Sequence, residues 1–275
     1  MDIRKITLLS DVDGTLLSSD GKVSVKNREA IRSFIEAGGH FGIATGRGHI
    51  NVLGFIEGVA INAPSILYNG SMLYDFTEKE VLSSEALPVT KLSEAIRWIQ
   101  KAYPGIMIHI YTPDTCHLVS EEVHADEKIL SDHQPAVFSK LEEALQEPWI
   151  KVLLAGENSE LKEIEKRLES ELEGEMRWVY SADIYLEILP LGVSKASMLK
   201  RLKEIHGEDH HIIAAGDFYN DLEMIKAADY GIAMGNAPDE IKEAADGIAV
   251  SNDEDGIAWI IEAILSDELE ERAGK

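Results

Sequence analysis

The segment Asp11-Val12-Asp13-Gly14-Thr15-Leu16 follows directly on the apolar run Ile6-Thr7-Leu8-Leu9. Two carboxylates two residues apart at the carboxyl end of a strand can share one reaction. The first serves as nucleophile and metal ligand, and the second serves as general acid and base. A carboxylate nucleophile that takes up a phosphoryl group splits a difficult transfer into two easier steps. Gly14 allows a sharp turn, and the Thr15 hydroxyl can pin it. By itself the string also fits an Asp-rich turn. It does not fit a calcium-binding loop, which lies between two helices and carries an acid near its twelfth position.

Three further segments hold groups that such chemistry needs. Gly216-Asp217-Phe218-Tyr219-Asn220-Asp221 follows the apolar run Ile212 to Ala215 and opens a helix with Leu222, Met224 and Ile225. The Asp217 carboxylate, added to Asp11 and Asp13, makes an all-oxygen site of the kind Mg2+ takes, with positions left for water and phosphate. Asp221 is expected to orient these groups rather than to ligate, and capping of the following helix is the simple alternative for both acids. Ser194-Lys195 opens a helix marked by Met198, Leu199, Leu202 and Ile205. That puts a cation in a first turn, where the helix dipole disfavours it. A nearby anion would offset the cost; a solvated surface lysine is the plainer reading. Thr45-Gly46 ends another apolar run, and its hydroxyl and backbone N–H groups suit phosphoryl oxygens or an ordinary turn.

The elements that must position these groups alternate between strand and helix at both ends of the chain. Ser24 caps a helix carrying Ala30, Ile31, Phe34 and Ile35, which Gly38-Gly39 ends. Strands are expected at Phe41 to Ala44, Ser65 to Tyr68, Ile212 to Ala215, Gly231 to Ala233 and Gly247 to Val250. This order predicts an α/β fold, a doubly wound and mostly parallel, Rossmann-like sheet with helices on both faces. Ligands bind such sheets beyond the carboxyl ends of the strands, where Asp11, Thr45 and Asp217 all fall.

The middle of the chain reads as an inserted α+β module. Strands are expected at Ile106 to Tyr111, Ile150 to Ala155 and Tyr185 to Leu189, with helices over Lys91 to Lys101 and Ser159 to Leu172. His109-Ile110-Tyr111 alternates as an antiparallel strand with one solvated face would. The division is therefore 1–84 with 189–275 for the core and 85–188 for the inserted domain.

The chain has 275 residues, and 26 Lys+Arg against 50 Asp+Glu give a formal net charge of −24. Nucleic-acid binding needs basic patches and is excluded, and acidic ligands must be drawn in locally by a metal ion and a few cations. Cys116 is the single cysteine, so no intrachain disulfide forms and a reducing compartment is expected. The apolar start is broken by Ser10 and Asp11, and no stretch approaches the length of a membrane span. Cytoplasmic residence is the expectation, as a monomer or a homodimer. His206, His210 and His211 flank a polar turn and are expected in solvent without ligand spacing. Arg47 and His49 are expected as exposed residues at a helix start, and Ser266 to Lys275 as a frayed tail.

Taken together, the four segments resemble the haloacid dehalogenase-like hydrolases. Asp11-Val12-Asp13-Gly14-Thr15 looks like that family's first motif, Thr45 its second, Lys195 its third, and Gly216-Asp217 with Asp221 its fourth. The insertion between the second and third motifs resembles the Cof-type phosphatases, as do Asn69-Gly70, Gly192-Val193-Ser194-Lys195 and Met234-Gly235-Asn236-Ala237. The resemblance implies an inserted domain that acts as a cap setting specificity. It implies Asp11 as nucleophile and Asp13 as acid and base. Mg2+ would be held by Asp11, the Asp13 backbone carbonyl and Asp217, with Asp221 behind them. Val12, Thr45, Gly46, Lys195 and Asn220 would hold the phosphoryl oxygens. The expected activity is hydrolysis of small phosphomonoesters, sugar phosphates or similar metabolites, through an aspartyl-phosphate. A phosphomutase would use the same intermediate. A phosphate sensor without catalysis would have no need of Asp13.

Overall fold

The computed structural model describes residues 2–120, 136–207 and 209–274. In chain order the strands are β1 (Ile6–Ser10), β2 (His40–Ile43), β3 (Ser65–Leu67), β4 (Met72–Asp75), β5 (Glu80–Ser84), β6 (Met107–Tyr111), β7 (Cys116–Leu118), β8 (Ala136–Phe138), β9 (Lys151–Ala155), β10 (Met176–Ala182), β11 (Tyr185–Pro190), β12 (His211–Gly216), β13 (Tyr230–Ala233) and β14 (Gly247–Ile248). Two units separate: residues 1–83 with 194–275, and residues 84–193.

In the first unit β1 lies inside a parallel sheet ordered β14-β13-β12-β1-β2. All its residues are buried. A strand covered on both faces must read as a continuous apolar run, as Ile6 to Leu9 does. Leu9, Ile212 and Ala214 share one face with Met198, Leu199 and Leu202 of the helix Ser197–His206 and with Met224. Leu8 and Ile213 point the other way and are equally buried. The helix Val25–Glu36 begins where the Ser24 side chain accepts the Asn27 N–H at 3.0 Å. It packs against Gly256–Leu265, tied by Asn27 Oδ1 accepting the Ala258 N–H at 2.8 Å. A parallel bridge from Ala44 to Ile66 carries the sheet on to β3, which opens the small sheet β3-β4-β5. Strands β4 and β5 carry no signal that sequence reading picked up.

Two expectations fail here. The tail does not fray through its described part. Leu269–Ala273 is helical, Ala273 is buried, and Gly274 bridges to Gly247 at the edge of β14. A residue there without a side chain lets Ala273 sit directly against the strand. His210 is buried rather than solvated, its Nε2 being 2.8 Å from Thr7 Oγ1 and its ring 5.2 Å from that of His40. His211 is exposed; the His206 side chain, Glu208 within the turn, and Lys275 at the end of the tail lie outside the described residues.

The second unit is an α+β layer pair. Its sheet runs β10-β11-β9-β6-β7-β8, antiparallel except for β7 with β8. Ile108, Ile110, Val152, Leu154, Leu186 and Ile188 point to the helices Val89–Ala102 and Asn158–Leu172, which bury Leu92, Ile96, Ile99, Leu161, Ile164 and Leu168 against them. The opposite face was expected in solvent, and on β6 it is not: His109 is fully buried and Tyr111 nearly so. Several polar groups there lie close to one another. Lys151 meets Glu187 at 3.3 Å and lies 4.7 Å from the centre of the Tyr111 ring. Cys116 Sγ is 3.7 Å from His109 Nδ1, and burial pushes the thiol up to about 12. Among the described residues no helix is long and apolar enough to cross a membrane.

Candidate active site

Asp11 stands one residue past β1, and its N–H extends the ladder by donating to the Ala215 carbonyl at 2.9 Å. The chain then makes one wide turn, closed by Leu16 N–H to the Asp11 carbonyl at 3.2 Å and Leu17 N–H to the Val12 carbonyl at 2.9 Å. Gly14 sits at φ +80°, and a Cβ there would run into the Asp217 carboxylate. Glycine is therefore required twice over, by conformation and by space. Thr15 Oγ1 donates to Asp217 Oδ1 at 2.9 Å, so the hydroxyl ties the turn to a second strand end. The Val12 side chain is fully buried in the core, which leaves only its backbone for a ligand.

Lys195 lies before the helix Ser197–His206 rather than in its first turn, and it is 1% exposed, not a surface lysine. Its Nζ donates to Asp11 Oδ1 at 2.6 Å and to Asp221 Oδ1 at 2.5 Å. The other Asp221 oxygen accepts the Asp217 and Phe218 N–H groups at 3.1 Å each. Asp221 thus makes no capping bond to its own helix but folds back to hold the loop that carries Asp217.

Asp11, Asp217 and Asp221 bring one carboxylate oxygen each within 4.8 Å of one another. Burial first, then Asp221, holds Asp11 well above the usual carboxylate range; burial and Asp221 likewise raise Asp217 to about 6. Burial works against the charge of Lys195, but Asp11 and Asp221 raise its pKa, so the ammonium stays protonated. One ammonium among three close carboxylates leaves the cluster short of positive charge. Hard oxygens, close together and reluctant to ionise, are a donor set that a small divalent cation fits. Asp221 already accepts three hydrogen bonds, against one on Asp11 and two on Asp217, so Asp11 and Asp217 have more lone pairs to offer that cation.

The other face of the site comes from the loop after β2. Thr45 is buried, its N–H donates to the Ile66 carbonyl at 2.8 Å, and its Oγ1 accepts the Arg47 N–H at 3.1 Å. Accepting that bond turns its own hydroxyl hydrogen elsewhere. Tyr68, Asn69 and Gly70 follow one another at φ 51°, 55° and 104°. This run of left-handed residues delivers the Asn69 N–H to the Thr45 carbonyl at 3.0 Å. Asn69 Oδ1 also accepts Asn220 Nδ2 at 3.3 Å, and the Asn69 side chain lines the place where a Gly46 side chain would be. Asn220 and the Thr45-Gly46 loop are so joined through a residue for which sequence reading gave no role.

Asn236 is a second such residue. Its Nδ2 donates to the Gly14 carbonyl at 2.8 Å and reaches Asp217 Oδ2 at 3.4 Å, while its Oδ1 accepts the Asn252 N–H at 3.0 Å. The Met234-Gly235-Asn236-Ala237 string was the only sequence signal for it. Asp13 lies outside the three-carboxylate cluster, and its side chain is held by Arg47. Arg47 and His49 are not the exposed residues expected: the Arg47 side chain is 18% exposed, and the His49 ring stacks on Tyr74 at 4.7 Å.

A strand-end cluster of acids with one buried lysine, reached from four loops of a parallel sheet, defines a hydrolase class, and comparison with known proteins agrees. Residues 8–261 match the family described as haloacid dehalogenase-like hydrolase. The chain is 31% identical over 271 residues to a pyridoxal phosphate phosphatase of Escherichia coli, covering 95% of this chain and 98% of that one. It is also 31% identical over 291 residues to a 5-amino-6-(5-phospho-D-ribitylamino)uracil phosphatase of Bacillus subtilis, covering 93% and 96%. Among solved structures, a haloacid dehalogenase-like hydrolase from Bacteroides thetaiotaomicron superposes with a TM-score of 0.81 at 31% identity, over 94% of this chain and 98% of that one. The chain belongs to the haloacid dehalogenase-like hydrolases. It is an enzyme of that class, and the Escherichia coli and Bacillus subtilis relatives are phosphatases.

Proposed function

We propose that this enzyme is a Mg2+-dependent phosphatase of small phosphomonoesters and that it works through an aspartyl-phosphate. The observation that carries the reading is the Lys195 bridge between Asp11 and Asp221, which fixes Asp11 by one oxygen and leaves the other to attack phosphorus. Asp11 and Asp217, with the Asp13 carbonyl, would hold Mg2+, which when bound neutralises charge on the carboxylates and the phosphoryl oxygens. Asp13 gives its proton to the oxygen leaving phosphorus. It then takes one from the water that attacks phosphorus and breaks the bond to Asp11, so the alcohol and inorganic phosphate are the products and the Asp11 carboxylate and the Asp13 acid are regenerated. Lys195, Thr45, Gly46, Asn220 and the Val12 backbone orient the phosphoryl group, a task that supplies most of the catalysis in phosphoryl transfer.

The related phosphatases name pyridoxal phosphate and a phosphoribitylamino uracil, both small phosphorylated metabolites that carry a nitrogen heterocycle. Substrates of that size and kind head the panel for this chain. The acid cluster is made by residues of the core unit, and the choice of leaving group is assigned to the inserted residues 84–193. The decisive experiment is phosphate release from a panel of phosphorylated metabolites with Mg2+, with EDTA, and with Asp11→Asn as control. Mg2+-dependent release that Asp11→Asn abolishes is expected; full activity in excess chelator refutes the reading.

A further inference from the structure

The acid and base assigned above is half open to solvent: the Asp13 side chain is 53% exposed. An exposed carboxylate samples several rotamers, and most of them point the proton away from any one leaving oxygen. Asp13 does not have that freedom. Arg47 Nε donates to its Oδ2 at 2.8 Å and Arg47 Nη2 donates to its Oδ1 at 2.8 Å, a two-pronged fork on both oxygens. The guanidinium is itself fixed. Its remaining Nη1 donates to Asn51 Oδ1 at 3.0 Å, and its central carbon lies 3.8 Å over the Phe55 ring. The Arg47 backbone is held as well, its N–H by Thr45 Oγ1 at 3.1 Å and its carbonyl by the Tyr68 N–H at 3.1 Å.

We infer that Arg47 is a positioning residue for the general acid and base, which it aims by holding the Asp13 carboxylate plane. The inference rests on the proposed role of Asp13. A surface ion pair contributes little to stability, so the use of this one lies in direction. A planar fork fixes the plane of a carboxylate, which a lysine ammonium cannot do. Each Asp13 oxygen has a second lone pair outside the fork, and the proton can ride there while the orientation is kept.

The test separates aiming from binding and from folding. A good leaving group such as p-nitrophenolate needs little protonation; an alkyl alkoxide needs it fully. With Asp13→Asn as reference, Arg47→Ala should lower kcat/KM, which reports the step that expels the leaving group, by on the order of tenfold to a hundredfold on an alkyl phosphate. It should change kcat/KM on p-nitrophenyl phosphate by less than about threefold, with inhibition by inorganic phosphate kept, while kcat, which includes the water step common to both esters, falls alike on both. Arg47→Lys should not restore the alkyl ester. Asn51→Ala, which removes the brace and leaves the ion pair, should show a smaller loss of the same pattern and serves if Arg47→Ala does not fold. Equal losses of kcat/KM on both esters, or a rise in the phosphate inhibition constant, overturn the inference. If Asp13→Asn discriminates between the esters and neither Arg47→Ala nor Asn51→Ala does, the positioning role falls and the proposed function stands. If Asp13→Asn does not discriminate, the acid assignment falls and the inference with it.

Discussion

Lys151 and Lys195 are both buried lysines paired with carboxylates, one in each unit, at 5% and 1% exposure. Lys151 pairs with Glu187. Glu187 faces Leu153 across β9 and β11, which sets it diagonally from Lys151, and the pair cancels at 3.3 Å with the Tyr111 ring beside it. Lys195 has two direct partners at 2.6 and 2.5 Å and a third carboxylate close by. The first pair sets one ammonium against one carboxylate. The second is short of positive charge by design of its neighbours, and burial makes that shortage costly until a cation arrives. The imbalance, rather than the burial, marks the place where chemistry is expected.

The hardest blow to the comparison comes from Asp11→Asn. We expect turnover to fall by on the order of a thousandfold or more while the fold is kept, because an amide cannot attack phosphorus. Steady-state assays and circular dichroism check this, and a loss of only about tenfold sinks the nucleophile assignment.

Next in size is the removal of each lysine. Lys195→Met should cost roughly 3–5 kcal/mol in denaturant titration and eliminate activity, since it strands two buried carboxylates. Lys151→Met should also destabilise, but Lys151→Met with Glu187→Leu should recover most of the loss, because a balanced pair can be replaced by apolar groups. If the double variant is no better than the single one, the two sites are not the contrast drawn here.

A smaller effect concerns protons. Asp217 is raised from 3.8 to about 6 by burial and then by Asp221. Between those values the folded metal-free chain keeps a proton that the unfolded chain has lost, so stability falls as pH rises through the window and is unaffected below it. Comparing wild type with Asp217→Asn by denaturant titration from pH 4 to 7 isolates this part, and Mg2+ should flatten it. Calorimetry at about pH 5.5 in two buffers should show proton release on Mg2+ binding. A wild-type stability that rises relative to Asp217→Asn reverses the sign and refutes it. The smallest effect is Lys200→Ala, on the exposed side of the helix that follows Lys195, with activity within about twofold of wild type.

Much of the core is legible because β1, β2, β3 and β12 are apolar runs that stop at a polar residue, and position along a parallel strand carries meaning. The helices Val25–Glu36 and Asn158–Leu172 show their caps or their period in sequence. Strands β7 and β8, with three residues each, have no period to read, and β10 stands at an edge where polar and apolar residues mix. The segments of the candidate site are local strings and could be read as such. Asn69, Asn236 and Arg47 could not, because each acts on a residue that only the fold brings near. The burial of Lys195 is hidden for the same reason: its carboxylates are 184 and 26 residues away along the chain.

Gly70 has a consequence for the history of such chains. Its backbone lies so near the Ser194 carbonyl that any side chain would collide with it. The inserted stretch leaves the core after residue 83 and returns at Ser194, immediately before Lys195. The point of return is therefore clamped by the core's own backbone. A lineage can lengthen, trim or exchange the insert, and the lysine still arrives in register with Asp11. A seam gripped by the core keeps the position of one lysine independent of the length of chain that precedes it.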